Sequence, residues 1–192
     1  DADASLHVSR GGGTFERMFK EYKAISSECT LDGDLQPEVG LADNGDLLFV
    51  CCCKNQEGTA LGEALCYTPK DTASDTVRLL TENELLPGSN CAIRTFGFCE
   101  IGNDGSYLVQ GCAAPVEADP TSDSQNIPAS YLACGRVGEN PEVLVADPSL
   151  GISGAIQGSV YMAARLGDSG YGFVCQTDSD KTQLYLNKKK LL

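Results

Sequence analysis

One pattern recurs three times along the chain. Gly45-Asp46-Leu47-Leu48-Phe49-Val50-Cys51-Cys52-Cys53 returns as Gly105-Ser106-Tyr107-Leu108-Val109-Gln110-Gly111-Cys112, then as Gly158-Ser159-Val160-Tyr161-Met162-Ala163-Ala164-Arg165. Each copy is a turn glycine, a small or acidic residue and an apolar β-type run. The glycines are 60 and 53 residues apart, so the pattern marks one supersecondary unit used three times.

Turn residues and β-type runs divide each unit into four short strands. In the first unit these are Gln36–Leu41, Leu47–Cys53, Glu63–Thr68 and Thr76–Thr81. Asp43-Asn44-Gly45-Asp46 is a hairpin signal, because Asn-Gly tolerates positive φ at both central positions. The second unit gives Ala92–Ile101, Ser106–Cys112, Tyr131–Val137 and Glu142–Ala146; the third gives Ser149–Ile156, Gly158–Leu166, Tyr171–Thr177 and Thr182–Asn187. The expected fold is all-β: three four-stranded antiparallel repeats, about 30–88, 89–148 and 149–187, like the blades of a β-propeller. A β-sandwich or β-prism satisfies the same pattern. The acidic, Ser- and Pro-rich stretch Pro115–Pro128 has little to bury and reads as an exposed loop.

Residues 1–25 read as an N-terminal arm ahead of the β-repeat domain, 26–192. Gly11-Gly12-Gly13 makes a flexible linker. Phe15, Met18, Phe19, Tyr22 and Ile25 fall on one helical face after a Thr14 N-cap, whereas Phe15, Arg17 and Phe19 also alternate as a strand does. Helix propensity over Glu16–Glu21 tips the reading towards a short helix, with an outer strand as the alternative.

From the repeat onwards the chain resembles secreted bacterial tandem-repeat proteins named for an Asn-x-x-Gly-x-x-x-Phe motif. Gly45, Gly105 and Gly158 match the motif glycine and Phe49 its aromatic, with Val109 and Met162 in the other copies. Ala42, Gly102 and Ala155 stand at the motif asparagine, with Asn44 and Asn103 nearby. The resemblance implies a propeller of the same strand order and an extracellular address; it carries over no catalytic residue.

Composition narrows the function. A net charge of −13 opposes phosphate-backbone binding, so no nucleic acid is expected. The one basic run, Lys188-Lys189-Lys190, reads as a solvated tail. No apolar run approaches a membrane span. Asp1-Ala2-Asp3-Ala4 has no basic region and no apolar core, so a secreted protein would have lost its signal peptide. Ten cysteines and a single histidine, His7, favour a disulfide framework in an oxidising, extracellular or periplasmic compartment. Without Cys-x-x-Cys pairs, zinc is the lesser reading.

Alternation puts Cys51 and Cys53 on one face of their strand and Cys52 on the other. Cys52 and Cys112 each stand seven residues after a repeat glycine, with Cys66 and Cys134 in the next strands. Disulfides Cys52–Cys66 and Cys112–Cys134 are therefore expected. Cys29, Cys51, Cys53, Cys91, Cys99 and Cys175 cannot be paired from the sequence.

The chain is expected not to be an enzyme. A lone histidine leaves no nucleophile–base pair, and no hydrolase elbow, zinc-protease or dinucleotide fingerprint occurs. Asp32, Asp34, Asp43, Asp46, Asp104, Asp168, Asp178 and Asp180 flank Gly or Ser in loops and would suit calcium, but their use as turn formers is the favoured reading. The expected role is a secreted structural or interaction protein that self-associates. The alternatives are a lectin-like or calcium-dependent module taking a glycan or protein ligand, and a carboxylate-based hydrolase.

Overall fold

The computed structural model describes residues 5–8, 16–20, 29–70, 75–116, 128–167, 170–177 and 181–191. These form a two-stranded hairpin and three larger β-sheets. No α-helix occurs among them, and none is long and apolar enough to cross a membrane. Residues 117–127 of the expected loop Pro115–Pro128, and Asp168, Asp178 and Asp180, lie outside the described residues.

The hairpin pairs β1 (Ser5–Val8) with β2 (Glu16–Lys20), antiparallel, with His7 opposite Arg17. Strand therefore replaces the expected helix over 16–20. Propensity is a weak prior, and cross-strand pairing overrides it here.

The first sheet runs in the order β3 (Thr30–Leu41), β4 (Leu47–Lys54), β5 (Ala60–Thr68) and β6 (Val77–Thr81). The second follows as β7 (Cys91–Ile101), β8 (Ser106–Pro115), β9 (Ala129–Arg136) and β10 (Glu142–Ala146), with the two-residue β11 (Ile156–Gln157) beside β10. The third comprises β12 (Ser159–Leu166), β13 (Gly170–Gln176), β14 (Thr182–Leu186) and β15 (Lys189–Lys190). Each is a meander whose neighbours in sequence are neighbours in space. All pairs are antiparallel except β10–β11.

The repeat glycines explain the first two sheets. The Gly45 amide donates to the Ala42 carbonyl at 2.9 Å while the Ala42 amide donates to Asp46, also at 2.9 Å. Gly105 repeats this with Gly102 at 3.0 Å, and the Gly102 amide with Ser106 at 2.8 Å. The glycines have φ of 94° and 75°, which an L side chain adopts only at a cost. The neighbouring Asn44 does not share the positive φ expected of it: this is a turn with one left-handed residue, as in three-residue hairpin loops.

The third copy departs. Ser149–Ile156 is not a strand. The Asp147 carboxylate accepts from the Ser149 amide at 2.9 Å and caps a 3₁₀ turn, Pro148–Leu150, which ends at left-handed Gly151. The chain then adds β11 to the second sheet. The third sheet takes its last strand instead from the lysine run read as a tail: Asn187 and Lys188, φ 45° and 65°, form the two-residue turn that returns β15 onto β14.

Alternating side chains build three apolar clusters. Leu48 and Val50 of β4 join Ile93, Phe96, Tyr107, Val109 and Ala133 between the first and second sheets. Leu108, Leu132 and Leu144 on the other face of the second sheet meet Val160, Phe173 and Tyr185 of the third. The second sheet is thus the middle layer. The far face of β4 and β5 carries the third cluster, with Leu31, Leu47, Phe49 and Ala64 around four cysteines. Met162, which like Phe49 stands four residues after a glycine, is 67 % exposed whereas Phe49 is 0 %. Phe49 lies on an inner strand and Met162 on β12, an edge strand bulged between Val160 and Met162.

Candidate functional site: a buried four-cysteine cluster

The most concentrated chemistry lies on the far face of the first sheet. Cys29 precedes β3, Cys51 and Cys53 are two apart on β4, and Cys66 is on β5. All four are at most 2 % exposed, and their sulfur atoms lie within 4.8 Å of one another. Cys51 and Cys53 converge because a strand repeats its side-chain direction every second residue. Cys29 reaches them because Leu31 stands opposite Cys53. Cys66 stands opposite Phe49, and Ala64 opposite Cys51.

Cys29 and Cys53 form a disulfide, their Cα atoms 5.3 Å apart. Cys51 Sγ lies 3.8 Å from the sulfurs of both Cys53 and Cys66. The contact with Cys66, followed by burial, pushes the Cys51 thiol well above its ordinary range. Held that way, it keeps its proton at neutral pH. Four such sulfurs can close disulfides in pairs or, as thiolates, surround a soft metal ion.

This geometry corrects the expected pairings. Cys52 stands opposite Glu63, and its side chain is on the face away from Cys66. The register is set by the Asn55–Thr59 turn and a bulge between Cys53 and Lys54, neither of which shows in residue spacing. Cys112 stands opposite Ser130 and Cys134 opposite Leu108. Four rungs, about 13 Å along the strand, separate that pair, too far for a disulfide. Cys91 and Cys99 are buried separately; the Cys91 thiol donates to the Leu150 carbonyl at 3.2 Å. Cys175 is buried in the third sheet.

A second feature is a cleft of about 360 Å³ lined by residues of the second and third sheets, among them Asp104, Cys134, Arg136, Glu142, Arg165 and Tyr171. Its charges engage one another. Arg136 pairs with Asp104 at 2.7 Å, and Lys188 pairs with Glu142. Arg165 donates from Nη1 to the Ser106 carbonyl at 2.9 Å, and its amide donates to Glu100 Oε2 at 2.6 Å. Burial, then the Glu142 charge, raises the Cys134 thiol; the Lys188 charge and then a hydrogen bond from Tyr171 oppose this.

Asp46 and Asp104, two of the acidic turn residues, are engaged by neighbouring donors. Asp46 accepts from Asn44 Nδ2 at 3.0 Å, from the Tyr67 hydroxyl at 2.9 Å and from the Lys70 amide at 3.0 Å. Asp104 accepts from the Ser106 amide at 3.0 Å and from its hydroxyl. No protein-family model matches the chain, and no curated protein or solved structure matches it either.

Proposed function

We infer that this chain is a structural or interaction subunit acting outside the cytoplasm, stapled by cysteine cross-links, without catalytic activity, and associating with copies of itself. In this reading the three meanders act as propeller-like blades within a larger ring or filament. The observation that carries it is the separateness of the hairpin. Among the described residues, β1 and β2 pair with each other and with no strand of the three sheets, and an isolated two-stranded hairpin is marginal in water. It gains stability by adding to a sheet edge, the mode by which strands join subunits. The edge strand β12 is suited to receive it, because it leaves Tyr161, Met162 and Leu166 more than half exposed.

Light scattering on the full chain and on a variant lacking residues 1–25 tests this. The full chain should assemble and the shortened one should not. A monodisperse monomer of the full chain at high micromolar concentration would overturn the reading.

The cleft supports a second reading, a module that binds a glycan or protein ligand. Arg136 at its rim is half exposed, and Tyr171 offers a ring beside it. Glycan-array binding lost in Arg136→Ala would favour this reading; binding unaffected by that change would count against it. A carboxylate-based hydrolase would place its acids in the same cleft, where Asp104 and Glu142 are already ion-paired.

A further inference from the structure

We propose that Cys29, Cys51, Cys53 and Cys66, once reduced, form a tetrathiolate site for one soft divalent metal ion, zinc or ferrous iron. A tetrahedral ion with metal–sulfur bonds of about 2.3 Å sets its sulfurs about 3.8 Å apart. The Cys51–Cys53 and Cys51–Cys66 separations are both 3.8 Å, so three of the four ligands already stand along two edges of that tetrahedron. All four sulfur atoms lie within 4.8 Å of one another. A framework made only for disulfides sets cysteines two by two. Here Cys51 is shared equally between two neighbours.

The surroundings suit a closed, structural site. Leu31, Leu47, Phe49 and Ala64 bury the cluster and would exclude water from the metal. Coordination to a divalent ion deprotonates a thiol outright. The ligands come from β4, β5 and the entry to β3, so the ion would tie three segments of the first sheet together. Thiolate donors select zinc or iron over calcium or magnesium.

The stoichiometry is explicit. A dithiol reductant gives two electrons and two protons to the Cys29–Cys53 disulfide and becomes a disulfide itself. The four thiols then bind M²⁺ and release four protons, leaving a complex of charge −2. Metal uptake is read independently of assembly, so this inference and the proposed function fail separately.

The test uses the full chain, reduced by a dithiol under argon, freed of reductant and titrated with Co²⁺ alone. One Co²⁺ per chain should bind with the intense visible bands and the sulfur-to-cobalt charge transfer of tetrahedral thiolate coordination. One equivalent of Zn²⁺ should bleach them. X-ray absorption of the zinc-loaded wild type should show four sulfurs at about 2.3 Å; this counts ligands without requiring any variant to fold. Cys66→Ser should lose the four-sulfur spectrum, and Cys112→Ser should keep it. Substoichiometric cobalt, a shell dominated by oxygen or nitrogen, or loss of the spectrum in Cys112→Ser would overturn the site.

Discussion

The sulfur atoms of Cys51 and Cys66 lie 3.8 Å apart although the two residues stand two rungs out of register on neighbouring strands. The residue directly opposite Cys51 is Ala64, whose small side chain leaves the face open for a diagonal approach. Filling that space should separate the sulfurs. Ala64 is fully buried, and overpacking such a site costs about 1–3 kcal/mol. Ala64→Val should lower the urea midpoint accordingly. It should also slow formation of a Cys51–Cys66 cross-link under mild oxidant, read by non-reducing peptide mapping.

The Cys29–Cys53 disulfide closes a loop with a sequence separation of 24. Loop entropy alone gives such a link about 3–4 kcal/mol of stabilisation. Cys29→Ser should lose most of this in the oxidised, metal-free protein. Adding a dithiol together with a chelator should bring wild type down to the variant, because both then lack the link. Equal denaturation midpoints before reduction would show that the cross-link does not constrain the unfolded chain.

Phe49 and Met162 each stand four residues after a glycine but in opposite environments. Phe49→Ala empties a site in a closed cluster and should cost about 3–5 kcal/mol. Met162→Ala removes a side chain that is 67 % exposed and should stay within about 0.5 kcal/mol of wild type. Thermal unfolding of the two variants side by side measures the difference. A large loss in Met162→Ala would mean that its face is covered in the assembled protein.

What the sequence conveyed was periodicity, and what it withheld was register. The glycine-led runs at Gly45 and Gly105 are legible because a left-handed turn residue followed by β-type side chains has few other solutions. That Cys51 and Cys53 share a face is legible for the same reason. The partner of Cys66 is not, since the bulge at Cys53 decides which residues meet across β4 and β5. In the third copy, a capping carboxylate at Asp147 turned an apolar stretch away from strand. The strand β15 was hidden by its charge: the turn at Asn187-Lys188 was the available signal, and a run of lysines masked it.

Burial, then the nearby Glu38 carboxylate, raises the Cys99 thiol to about 12 from its ordinary 9.0. Below pH 9 the thiol is neutral in both folded and unfolded chains, and burying it carries no charge penalty. Between about pH 9 and 12 the unfolded chain ionises and the folded one does not, so stability falls through that window. The same burial protects the thiol from reagents. Haloacetamide at pH 8 should label partly exposed Cys112 in the native protein and Cys99 only after unfolding. Cys134, raised by burial, should label more slowly than Cys112 but still react, because no disulfide joins the two. Native labelling of Cys99 would show that the interface between the first and second sheets opens.

Asp104 offers the acid counterpart. Desolvation opposes its ionisation, but hydrogen bonds from Ser106 and the charge and hydrogen bond of Arg136 outweigh it and hold the carboxyl below its ordinary 3.8. A depressed carboxyl stabilises the fold above its unfolded pKa, and the benefit is lost as pH falls through the folded value. Arg136→Ala removes one partner while leaving the Ser106 bonds and the more distant Arg165 guanidinium, 3.9 Å away, in place. The Asp104 midpoint, followed by carbon NMR of the side-chain carboxyl, should therefore rise in the variant towards the ordinary carboxylate range. Wild type should be the more stable of the two at neutral pH, by a margin that closes as Asp104 protonates below about pH 4. An unchanged midpoint would assign the whole depression to Ser106, and Ser106→Ala should then raise it instead.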